Sequence, residues 1–598
     1  MTERQAMHNP GRFLRTVRWL KPKQAAWRAW YLARRRAGIR PRVAQTSPVA
    51  SFDAGALDRL RDFLRTAEEK APAGETILAA LRAGHLKALN AEATGAWDWD
   101  RLAQSPRPGR SAVHWFEYVR PLAQVGACGR NEADDARRVM TWIHDWIARH
   151  PPGARDAWDA YPIATRLMNW ALAFAAFGPP DPAVLDSWAA QARWLSRSIE
   201  YDVEANHLVR DAQGLIVAGA LMAASPEGQR WIDKGLRLLA RTLAEQILDD
   251  GGHYERSAMY HAHVLEGNLI AHAAIQMKPP FLRDAISRMA DFLPRVTHPD
   301  GEIPLFGDAA LGTCMPPLAL HSTASAICGH GAPPIADGAD ALEPSGFYVM
   351  RTAHGAAWMI AKAAPVEPSY QPGHAHADPF SYELSVAGRR IVVDSGNPVY
   401  EANPMRAYCR SVRAHNTVAV DRREPMECWD VFRIGRRYRL LSREWSAAAY
   451  GWRLVASHDG FAPFRHTREI HFIFGGAWLI GDRVDGPRPC EAESFIHFHP
   501  DVWLEPRGDG YVAAAGSGET LIRPFGVSSV EHVHGVENPL QGWHCPRFGE
   551  AHPADCLVLY ARGRNVRFGY TIAPPCAGEE TRRILAECRE RFLDKGRW

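Results

Sequence analysis

The chain has 598 residues, enough for two to four domains or repeat-built modules. Hydrophobic residues make up 46% and charged residues 23%, a balance that excludes disorder, collagen and coiled coil. The formal net charge of +4 is too small for a nucleic-acid binder, and no stretch approaches the ~20 apolar residues of a membrane span.

Residues 1–45 carry twelve Lys and Arg against one acid, Glu3, so this segment is +11 and the remainder about −7. Phe13, Leu14, Val17, Leu20, Trp27, Trp30 and Leu32 are spaced for one or two amphipathic helices. This basic helical segment, bounded at about residue 50, is expected to clamp onto the main body. Contact with an anionic polymer or a membrane surface is the alternative. No apolar h-region follows the basic start, so no secretory signal is visible and a cytoplasmic location is expected.

From about 55 to 325 the pattern is helix after helix. AGALDRLRDFLRTAEEK, DDARRVMTWIHDWIARH, IATRLMNWALAFAAF and RWIDKGLRLLARTLAEQIL all show apolar spacing near 3.6 residues. Breaks rich in Pro, Gly and Asp separate them, as in FGPPDPA and DDGGHYERS. Helical hairpins of similar length predict an (α/α) array or toroid over 51–335. The 21 tryptophans suit its helix–helix core, with stacking on sugar rings as the alternative.

Beyond about 340 the segments FSYELSVAGRRIVVDSG, YRLLSREWSAAAYGWRLVASHDG, RHTREIHFIFGGAWLIGDRVDG and DCLVLYARG are rich in β-branched and aromatic residues, with Gly or Asp turns between. They predict an antiparallel β-sandwich over 336–598. The expected fold class is therefore multidomain, helices first and sheets second. The ten cysteines form no CxxC, which argues against a zinc ribbon or a disulfide scaffold.

Two clusters carry candidate chemistry. GHAHADPFSYELSVAGRRIVVDSG brings His374, His376, Asp378 and Asp394 together, and RAHNTVAVD adds His415. Two His and a carboxylate from neighbouring β-segments suit a divalent ion such as zinc, or a polar network that staples the sandwich. The helical half offers Asn206, His207 and Arg210 in EANHLVRDAQGL, then Tyr254, Glu255, Tyr260, His261 and His263 in DGGHYERSAMYHAHVLE. Such groups could serve β-elimination of a polyuronide. That reaction needs a neutralised carboxylate, a base for the C5 proton and an acid for the leaving oxygen.

These segments resemble the heparinase II/III-like polysaccharide lyase family, whose relatives include alginate and glycosaminoglycan lyases. The resemblance runs through AYPIATRLMNWALAF, EANHLVRDAQGL, DGGHYERSAMYHAHVLE, DGEIPLFGD, GHAHADPFSYELSVAGRRIVVDSGNPVY and RSVRAHNTVAVD, most of residues 95–425. It implies an (α/α) toroid followed by an antiparallel β-sandwich. It implies Asn206 and His207 at the substrate carboxylate, with His207 also a candidate base, and Tyr260 as the catalytic Tyr, a general acid and for some substrates the base too. It implies His376, Asp394 and His415 as ligands of a metal, usually zinc, with manganese or calcium as alternatives. Arg166, Asn169, Trp170, Arg210, His374 and Arg406 fall in matching stretches as candidate substrate-cleft residues.

Some relatives place a Glu where this chain has Arg210, a departure that favours an anionic subsite. The expected partner is an anionic polysaccharide, and a homo-oligomer is compatible with the sequence. Cations near Tyr260, such as His207, His261 or Arg210, are expected to lower its pKa. Two other readings stand beside the lyase. One is a glycuronyl hydrolase on the same toroid, using Asp308 or Asp211. The other is a non-catalytic polysaccharide-binding factor in exopolysaccharide synthesis.

Overall fold

The computed structural model describes residues 10–38, 52–104, 107–329, 338–352, 356–516 and 518–594. The domain boundaries expected at 50/51 and 335/336 both lie outside the described residues. Between them the chain is helical, and after them it is almost entirely antiparallel sheet.

The helices form two layers that their composition separates. Ala160–Phe177, Ala205–Ala220 and Ala258–Ala274 are apolar on nearly every face and almost wholly buried. Asp135–Arg149, Pro226–Gln246 and Pro280–Val296 bury one stripe and expose the other. A helix apolar all round must be enclosed, whereas a one-sided helix encloses it. The inner helices approach closely because Gly214 has no side chain: a Cβ there would lie 2.7 Å from the Cα of Ala164. Tryptophans fill part of this core. Trp146, Trp170 and Trp188 are fully buried, and the Trp146 and Trp170 rings meet edge to face at 5.6 Å.

A five-stranded sheet follows, ordered Gly338–Leu342, Phe347–Arg351, Ala357–Lys362, Tyr382–Val386 and Arg389–Val392. Its alternation assigns each face to a different core. Phe347, Val349, Trp358 and Ile360 pack on the helices, whereas Tyr348, Met350, Met359 and Ala361 pack into the sandwich. Across that second core lies an eight-stranded sheet running from Leu440–Ala448 to Trp503–Arg507, and beside it a four-stranded sheet. A closing helix, Glu579–Leu593, was not marked by periodicity because it is mostly charged. It buries only Thr581, Leu585, Cys588 and Phe592.

Two short helices precede the toroid: α1 (Pro10–Val17) and α2 (Pro22–Arg36). They lie across the seam between toroid and sandwich. Arg12 and Arg15 pair with Glu427 of the sandwich, and Lys21 and Lys23 pair with Glu204 of the toroid. From α2, Arg28 and Tyr31 donate to the carbonyls of Asp202 and Ile199, and Trp27 stacks on Tyr201 at 5.0 Å. The segment thus grips the loop that leads into helix Ala205–Ala220.

Candidate active site

That loop ends in two residues with positive φ, Glu204 (φ 60°, ψ −146°) and Ala205 (φ 52°). A non-glycine residue in such a conformation costs on the order of 1–3 kcal/mol. The Lys21 and Lys23 ion pairs on the buried Glu204 carboxylate help to offset it. The turn starts the next helix with Asn206 and His207 in its first turn, both lining a cavity of about 320 Å³. Glu200, Glu255, Tyr260, His374 and Tyr400 line it too. The cavity shares Trp115, Tyr161, Tyr260 and Tyr400 with a longer cleft of about 1050 Å³, so the two are continuous.

Glu255 joins the two domains at this point. Its carboxylate accepts hydrogen bonds from the backbone N–H and the side-chain amide of Asn206, at 2.9 and 3.0 Å. It also accepts from Nδ1 of His374, which comes from the sandwich. Burial alone would raise the Glu255 pKa, but the His374 and His253 imidazoles and the Asn206 amide outweigh it and hold the value at about 2. A carboxylate can only accept, so Nδ1 of His374 carries the proton and a neutral ring keeps its lone pair on Nε2.

Tyr260 stands in the first turn of helix Ala258–Ala274, which Ser257 caps by accepting from the Tyr260 N–H. Its ring stacks on His374 with centroids 3.8 Å apart and planes within 10°, and its hydroxyl meets that of Tyr400 at 2.9 Å. The expected lowering of its pKa is not found. Burial, the neighbouring Tyr400 hydroxyl and the Asp308 carboxylate all raise it well above 10, so Tyr260 is a protonated phenol. Of the cations expected to help, His207 turns its Nδ1 to Glu200 at 2.9 Å, and burial keeps His261 neutral. For His207 burial opposes charge, but the Glu200, Glu255 and Asp202 carboxylates prevail and raise its pKa above 6.5.

Of the six residues expected to line the substrate cleft, only His374 does. Arg166 is fully buried and donates to Gln191, His114 O and Ala157 O, over the face of Trp146. Trp170 is core. Asn169 reaches the Trp115 carbonyl and accepts from Arg120, so it braces residues that line the cleft without lining it. Arg210 is likewise behind the wall, near the Tyr161 ring and the His263 carbonyl, and supplies no anionic subsite. Arg406 chelates Asp308 and lies under the rings of Tyr400 and Phe432. Arg166, Asn169, Trp170 and Arg210 sit in helices covered on nearly every face, which motif matching alone does not reveal. Glu200, Tyr161 and Tyr400 went unassigned although each lies in or beside a matching stretch.

The hydrolase reading loses its carboxyl. Asp308 is fully buried, bonded to Arg406 and His376, and held far below the usual carboxylate range by that arginine despite its burial. Asp211 lines neither cavity and accepts the Glu200 N–H at 2.7 Å. Tyr254 also faces away, with its hydroxyl 2.7 Å from that of Tyr370.

The three expected metal ligands are neighbours but not a ready cluster. Asp394 bonds Nδ1 of His415 at 2.8 Å, and Nε2 of His376 bonds Asp308 at 2.8 Å. Among the described residues no three His, Cys, Asp or Glu side chains are grouped to hold an ion. Two atoms nonetheless lack partners in a buried place: Nδ1 of His376 and Nε2 of His415. Their ring centroids are 5.4 Å apart, close to the roughly 5 Å that two imidazoles take on one tetrahedral zinc with Zn–N of about 2.0–2.1 Å.

Known proteins match along most of this architecture. A family model described as heparinase II/III N-terminus matches residues 95–321, and one described as heparinase II/III-like, C-terminal, matches 335–576. A heparin-sulfate lyase of Bacteroides stercoris is 25% identical over 481 residues, covering 72% of this chain and 68% of that one. The FtsZ-localized protein C of Caulobacter vibrioides is 26% identical over 377 residues, covering 62% of this chain and 58% of that one. A crystal structure of heparinase III superposes with a TM-score of 0.67 at 16% identity, over 96% of this chain and 94% of that one, and so shares the fold. The chain belongs to the heparinase II/III-like family of polysaccharide lyases.

Proposed function

We propose that the protein cleaves a uronate-containing polysaccharide by β-elimination, leaving a 4,5-unsaturated uronate end. The substrate class is a glycosaminoglycan, as the heparin-sulfate lyase relative suggests, or else an alginate or a bacterial exopolysaccharide. The observation that carries this reading is the stacked pair of Tyr260 and His374, with Asn206 and His207 lining the same cavity.

Each group has a task its environment suits. The imidazolium of His207, with the Asn206 amide, neutralises the substrate carboxylate and so acidifies the C5 proton. His374, oriented by Glu255, takes that proton on Nε2. The C–H electron pair becomes the C4=C5 double bond. The C4–O bond breaks as Tyr260 gives its phenol proton to the departing oxygen. Tyr400 lies in position to return a proton to Tyr260, and His374 releases its own to solvent. The elevated Tyr260 pKa fits an acid and not a base.

A divalent ion, zinc by preference, is part of this proposal. His376 Nδ1 and His415 Nε2 would hold it, with Asp394 fixing the His415 tautomer from outside the ligand set. The ion would supply a cross-link under the sandwich wall of the cleft. A second reading is that the groove binds glycan without cleaving it; one relative, the FtsZ-localized protein C, is not named as a lyase.

Tyr260→Phe keeps the ring and its stacking but deletes the transferable proton. It is expected to fold, to bind polymer, and to lose on the order of 10²-fold or more in turnover, read as the ultraviolet absorbance of the unsaturated product. Tyr254→Phe, whose hydroxyl faces Tyr370, keeps its activity. A wild-type protein that binds these polymers without any rise in absorbance would favour the second reading.

The His207 pKa sets the alkaline side of the pH profile. Because the charged form is the active one, kcat/KM falls as pH rises through the elevated value. Glu200→Gln removes the main raising influence, so the alkaline limb should move to lower pH. An unmoved limb assigns it to another group.

Metal analysis should find about one divalent ion per chain. His376→Ala should lose it and melt at a lower temperature, because a coordinating site stabilises only the folded state. A variant with unchanged metal content and midpoint would remove the ion from the account.

A further inference from the structure

Helix α2 turns Trp27 and several polar residues to the protein and leaves a second, apolar face in solvent. Its polar and amphipathic residues Gln24, Arg28 and Tyr31 face the protein, where they donate to the carbonyls of Val203, Asp202 and Ile199. The opposite face, turned to solvent, carries Ala25, Ala26, Ala29 and Ala33, flanked by Trp30 at 55% and Leu32 at 49% exposure. Helix α1 adds Phe13 and Leu14, at 43% and 63%. An ordinary surface helix keeps such side chains out of solvent, so this outward face is suited to being covered.

The charge around it says by what. Residues 10–38 contain nine Lys and Arg and no Asp or Glu, while the whole chain is only +4. Arg18, Arg35 and Arg36 are exposed beside the apolar face. A second copy would bring the same positive face and be repelled. A polyuronate would satisfy the arginines but gain nothing from exposed Leu14 and Leu32, which offer neither a hydrogen bond nor a ring. An anionic lipid surface takes both: headgroup phosphates on the arginines and the acyl boundary on Leu, Phe and Trp.

We propose that the outward face of α1 and α2 docks the protein on an anionic phospholipid bilayer, without crossing it. No helix among the described residues is long and apolar enough to cross a membrane. Because α2 also grips residues 199–204, docking would occur beside the loop that leads to Asn206 and His207. The proposal does not depend on the chemistry in the cleft.

The test is flotation of the full chain with vesicles of phosphatidylcholine alone or mixed with phosphatidylglycerol. The protein should float only with the anionic vesicles, and added salt should release it. The pairs Trp30→Ser with Leu32→Ser, and Arg35→Glu with Arg36→Glu, should each cut the bound fraction on the order of tenfold with an unchanged melting temperature, since all four side chains are exposed. No flotation with anionic vesicles overturns the proposal, as does flotation that neither pair affects. Variants that lose retention on a uronate polymer but still float would assign the face to glycan and overturn it equally.

Discussion

A buried, ionised carboxylate organises the cleft. Glu255 comes from the loop before helix Ala258–Ala274, yet its partners belong to two other places: Asn206 in the toroid and His374 in the sandwich. An unpaired carboxylate in that position would cost several kcal/mol, so the two domains are held where its hydrogen bonds are made. The same bonds fix which imidazole nitrogen of His374 bears the proton and which way the Asn206 amide points. Fold and chemistry are coupled through one side chain. The buried pairs Arg406–Asp308 and Arg390–Glu383 repeat the pattern elsewhere, the first beneath Tyr400 and the second within the sheet that faces the helices.

Around this hub the cleft separates its titratable groups. Glu200 and its neighbours favour a charged His207, while burial and nearby negative charge favour a neutral Tyr260. Environments that push such groups apart are how one site provides an electrostatic partner and an acid at the same pH. Arg210, Asn169 and Arg406 contribute from behind the wall by bracing Tyr161, Trp115 and Tyr400. The N-terminal helices belong to the same machinery on one side, because they hold the strained turn at Glu204.

Much of this was legible in the amino-acid order. The 3.6-residue spacing of helices such as Pro226–Gln246 and the alternation of strands such as Phe347–Arg351 predict the two halves and their order. Asn206, His207 and Tyr260 stand out because each lies in a short polar run entering an apolar helix. Residues that act through long-range contacts were harder to read. Tyr400 is 140 positions from Tyr260, and His374 is 119 from Glu255, so neither pairing leaves a local signal. Arg166 and Trp170 looked like cleft residues because they share a motif with Asn169, but the helix that carries them is covered all round. The direction of the Tyr260 shift depends on burial and on Asp308, which no spacing encodes.

The most direct test of the account is the turnover of Glu255→Gln on a uronate polymer, followed by absorbance of the unsaturated product. The substitution keeps size and hydrogen-bonding capacity but removes the charge that orients His374 and fixes its tautomer. The account predicts a folded, polymer-binding protein whose kcat falls on the order of 10²-fold or more, with a smaller change in KM. A Glu255→Gln enzyme that turns over at the wild-type rate would contradict it.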